Sequence, residues 1–78
     1  MPNLLAEFTV EPFVEGAPGP HVQAAIDAAR ATGLAVDFGP FGTSVSGDAD
    51  AVSTALANVV RAATEHGATT ISIQVRRA

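Results

Sequence analysis

Two histidines, eight carboxylates and four arginines are the ionisable side chains of this 78-residue chain, which has neither cysteine nor lysine. Nucleophilic catalysis is not expected: His21 falls where a helix starts, His66 where one ends, and no serine sits in a G-x-S-x-G elbow. His66 in a last helical turn suits the helix dipole instead. His21 and Asp27 are six residues apart, a spacing that does not align two ligands on one helix face, and the absence of cysteine removes thiolate sites and disulfides. The loop from Val14 to Pro20 holds no cation to grip a phosphate, and G-x-x-x-x-G-K-[ST] is missing. What remains is Phe13, Phe38 and Phe41 in the company of Glu7, Glu11 and Asp37. Aromatic rings beside carboxylates suit a flat cationic ring, through stacking and cation–π attraction of about 0.5–2 kcal/mol. Phe38 is expected in the core. Phe41, between glycines and a proline, reads either as a plug over the end of the core or as one wall of a pocket, and residue physics favours the plug.

These side chains must be positioned by elements that the patterning reveals. From Leu4 to Phe13 the residues alternate, with Leu4, Ala6, Phe8 and Val10 on one side and Leu5, Glu7, Thr9, Glu11 and Phe13 on the other, which predicts a strand with one buried face. Pro12 removes a ladder donor and sets the strand's end nearby. A Gly/Pro-rich loop follows, and Pro20 suits the first position of a helix running to about Thr32, with Val22, Ala25, Ile26 and Ala29 on one face. Gly33 fits the residue that ends it. Leu34 to Phe38 and Thr43 to Gly47 read as two short strands joined by the Gly39-Pro40-Phe41-Gly42 turn. Asp48 or Asp50 caps a second helix whose apolar face is Val52, Leu56, Val59, Val60 and Ala63, with Gly67 closing it. A last strand, Thr69 to Arg76, sets Ile71, Ile73 and Val75 against Thr70, Ser72, Gln74 and Arg76.

The order is β-α-β-β-α-β. Two right-handed βαβ units interleave most economically into one α+β sandwich of the ferredoxin-like kind, an antiparallel four-stranded sheet in the order 4-1-3-2 with both helices on one face. A single domain over residues 1–78 is expected, near the lower limit of size, where only about 60% of the unfolded surface is hidden and assembly helps. The opposite sheet face collects Glu7, Thr9, Glu11, Phe13, Ala35, Asp37, Ser44, Ser46, Thr70, Ser72, Gln74 and Arg76. Such a face is either plainly solvated or a close-approach surface for a second sheet.

A net charge of −4 disfavours nucleic acid and anionic membranes as partners, and a neutral or cationic ligand is easier to accept. No apolar run approaches a membrane span, and the N-terminus lacks a signal-peptide pattern, so a cytoplasmic location is expected.

Three stretches carry a resemblance: Glu7-Phe8-Thr9-Val10-Glu11-Pro12, Gly39-Pro40-Phe41-Gly42-Thr43 and Ser46-Gly47-Asp48, with Gly67-Ala68 before the last strand. Together they resemble the small thiamine-binding proteins formerly grouped as a family of unknown function. The resemblance covers nearly the whole chain, and its distinctive part is the Pro-x-Gly-Thr turn with Gly-Asp downstream. It implies a ferredoxin-like domain that assembles into dimers or tetramers through its sheets. It also implies binding of thiamine or its hydroxymethylpyrimidine moiety, with no catalysis and no cofactor. Carried over by position, the motif points to Pro40, Gly42, Thr43 and Gly47. Relatives often carry a glutamate where this chain has Ser46, so Glu11 or Asp37 would answer the ligand's charge here. The expected ligand set is therefore Glu11, Phe13, Asp37, Pro40, Phe41, Gly42, Thr43, Ser46 and Gly47, with no metal. A structural or regulatory assembly module without a small ligand is the rival expectation, and an enzyme using Glu11 or Asp37 as general base a weaker third.

Overall fold

A computed structural model describes residues 2–12, 19–39 and 42–78. Alternation and helical spacing produce six elements: strand β1 (Asn3–Glu11), helix α1 (Pro20–Arg30), strands β2 (Ala35–Gly39) and β3 (Gly42–Asp48), helix α2 (Ala49–Glu65) and strand β4 (Thr70–Arg77). The strands form one antiparallel sheet in the order β2-β3-β1-β4, which is the expected 4-1-3-2 order counted from the other edge.

The register explains the core. Ala6 faces Val45 and Val75, and Phe8 faces Thr43 and Ile73, so the even side chains of β1 share one side of the sheet with these residues. Both helices lie on that side. Phe8 and Val10 pack with Val22, Ala25, Ile26 and Ala29 of α1 and with Val59 and Ala63 of α2, while Ala6, Val45 and Val52 form an adjoining cluster. Pro20 opens α1 as expected, and Gly33, at a φ of 79°, ends the turn that follows it. Of the two candidate caps for α2, Asp48 is the one used: its carboxylate accepts a hydrogen bond from the Asp50 N–H at 3.1 Å.

Four apolar residues are more exposed than their patterning predicts. Val60 points away from the core and is 41% exposed, and Ala55 is buried on the inner face of α2 instead. Ile73 and Val75 are on the helix side of β4 but are 39% and 44% exposed, because the helices pack over β1, β2 and β3 and leave the β4 margin uncovered. Phe38 is 41% exposed rather than core: β2 is the opposite edge strand, and Phe38 lines a cleft with Val22 and Ile26 of α1 instead of being sealed beneath the helix.

Candidate functional site

A cleft opens at the end of the sheet where β2 ends and β3 begins. Here the last residues of β1, the first half of α1 and the Gly39–Gly42 pair surround a cleft of about 320 Å³. Phe8, Val10, Val22, Ile26 and Phe38 supply apolar walls, and Thr9, Glu11, Gly39, Gly42 and Thr43 complete the described lining. Local sequence accounts for the opening. Gly39 pairs with Gly42, so neither strand presents a side chain at this edge. Gly42 has a φ of 149°, and a Cβ there would lie 3.1 Å from the Phe8 carbonyl oxygen and 3.3 Å from Thr9 Cγ2. A side chain at position 42 is thus disfavoured by backbone conformation and by contact together.

Thr43 is the buried polar side chain of the described core, at 4% exposure, between Phe8 on one neighbouring strand and Phe38 on the other. Thr43 also lines the cleft, and among the described residues no buried side-chain polar atom lacks a partner, so its hydroxyl is placed to make a polar contact at an otherwise apolar wall.

On the other side of the sheet lies a second, more open hollow of about 440 Å³. The register aligns Asp37, Ser44, Glu7 and Gln74 in one row across all four strands, and these residues line it with Ser72 and Thr9. Glu7 pairs with Arg76 at 3.3 Å in a half-exposed salt bridge, an arrangement worth about 0–1 kcal/mol. The cleft and the hollow share Phe8, Thr9, Gly39, Gly42 and Thr43, so the bare glycine pair is a common wall.

The structure brings Glu11, Gly42 and Thr43 to the cleft and sets Asp37 in the adjoining hollow. Phe13, Pro40 and Phe41 lie outside the described residues. Ser46 and Gly47 are not with the others: Gly47 is five positions along β3 from Gly42, about 17 Å at the usual strand rise. Gly47 has its own backbone reason, a φ of 153° and the Leu34 side chain 2.6 Å from where a Cβ would sit. Sequence reasoning did not single out Val22, Ile26, Phe8 and Val10 as cleft residues. Their spacing marks an inward face, and that signal is the same for the wall of a cleft as for a sealed core. Among the described residues, no three His, Asp or Glu side chains gather as a metal site, and no helix is long and apolar enough to cross a membrane.

Comparison with known proteins adds fold and family. A hypothetical protein of Methanocaldococcus jannascii superposes with a TM-score of 0.73 at 22% identity, over all of this chain and 80% of that one. A domain of unknown function from Bacillus cereus gives 0.63 at 17% identity, over 99% and 75%. A Thermotoga maritima protein, whose name proposes a part in thiamine biosynthesis or salvage, gives 0.58 at 21% identity, over 97% and 82%. At these identities the likeness is one of fold. No curated protein matches significantly. The model of the thiamine-binding protein family matches residues 6–77, nearly the full length, and on that match the chain belongs to the thiamine-binding protein family.

Proposed function

We propose that this chain binds thiamine, or its hydroxymethylpyrimidine moiety, without catalysing a reaction on it, in the cleft at the Gly39–Gly42 end of the sheet. The observation that carries the reading is the pairing of apolar walls with one hydroxyl-bearing residue of the core, Thr43, in a cleft of about 320 Å³. That volume is at the small end of ligand sites, which suits one flat ring held by a few apolar side chains and oriented by one polar contact. Family membership supports the ligand class. The role that fits such a protein is buffering or delivery of the vitamin in the cytoplasm.

Copies of the chain associate along the β4 edge of the sheet in the same reading. Ile73 and Val75 on the uncovered margin of β4 support it, since a small core benefits from covering them.

Calorimetry with thiamine tests the binding claim. Saturable heat is expected, with stabilisation of the fold by about 2.7 kcal/mol at one hundred times the dissociation constant. No heat and no thermal shift at millimolar thiamine would refute it.

A further inference from the structure

We propose that the charge around the cleft makes the site selective against phosphorylated ligands: it accepts a neutral or cationic flat ring and rejects the phosphate esters of the same compound. The inference rests on the cleft being the thiamine site. Among the described residues, the cleft and the adjoining hollow are lined by Glu7, Glu11 and Asp37 and by no Arg, Lys or His. All four arginines of the chain lie among the described residues, and the chain has no lysine. Arg30 ends α1, Arg61 is within α2 and Arg77 closes β4 opposite Leu4 at the far end of the sheet. Arg76 is on β4, and its guanidinium is engaged by Glu7.

The start of α1 is the feature that would ordinarily favour an anion, since its N–H groups and dipole point outward. Here it is blunted. Pro20 has no N–H, the N–H groups of Val22 and Gln23 both bond the Gly19 carbonyl at 3.1 Å, and the His21 ring engages the Pro12 carbonyl. A phosphate ester carries about two negative charges, and placing them beside the Glu11 and Asp37 carboxylates with no donor fork to receive them is unfavourable.

The test is calorimetry of the intact chain with thiamine, thiamine monophosphate and thiamine pyrophosphate at low salt. The esters are expected to bind about tenfold more weakly or worse, with the gap shrinking as salt rises. The gap should also shrink in a Glu11→Gln, Asp37→Asn variant, where both altered side chains are exposed and the fold is kept. Esters binding as tightly as thiamine would overturn the selectivity and leave the binding reading intact. A gap that neither salt nor the variant moves would overturn charge as its cause, and no binding by any of the three would overturn both claims.

Discussion

Thr43 answers to two constraints. It belongs to the buried face of β3, in line with Phe8 and Phe38, yet it carries a hydroxyl where Val45, two residues on, carries only methyl groups. Thr43→Val keeps the shape and removes that hydroxyl. Thiamine affinity is expected to fall by about tenfold or less, the value of one hydrogen bond, with the melting temperature held or raised. Equal affinity in calorimetry would remove Thr43 from the site. At this scale the sequence was partly legible. Gly42 and Thr43 were nameable from the turn motif, but the motif's downstream Ser46 and Gly47 belong to the other end of β3, where Gly47 accommodates Leu34. A linear motif records which residues recur together, and a strand of seven residues is long enough to hold its two halves apart.

Among the elements, periodicity told which way a side chain points but not what lies above it. Both helices and all four strands were predictable within a residue or two from alternation, helical spacing and Gly/Pro punctuation. The alternation of β4 correctly separates Ile73 and Val75 from Ser72 and Gln74, but the helical cover reaches Ile71 and not the residues beyond it, and no local pattern says where that cover ends. The energetic consequence is measurable. Val59→Ala, at a fully buried position on α2, should cost about 2 kcal/mol by chemical denaturation. Ile73→Ala should cost under about 1 kcal/mol in the dilute chain, below the 2–5 kcal/mol of a sealed core position. A loss at Ile73 as large as a core deletion would show that something covers β4 even in the dilute chain.

The whole molecule is acidic, small and open at one sheet margin, and these properties act together. Net charge of −4 and a cleft lined, among the described residues, by no cation favour a cationic or neutral ligand, whereas the exposed β4 residues favour self-association. Light scattering is expected to give a dimer or larger, reduced to the single-chain mass by Ile73→Asp with Val75→Asp; a single-chain mass for the parent would refute assembly. The central claim is that thiamine occupies the Gly39–Gly42 end of the sheet. Its most direct test is a titration of the isotopically labelled chain with thiamine, followed through backbone amide chemical shifts. The account predicts saturable shifts concentrated at Phe8 to Glu11, Val22, Ile26, Gly39, Gly42 and Thr43. Shifts centred instead on Ser46 and Gly47, or none at saturating ligand, would contradict it.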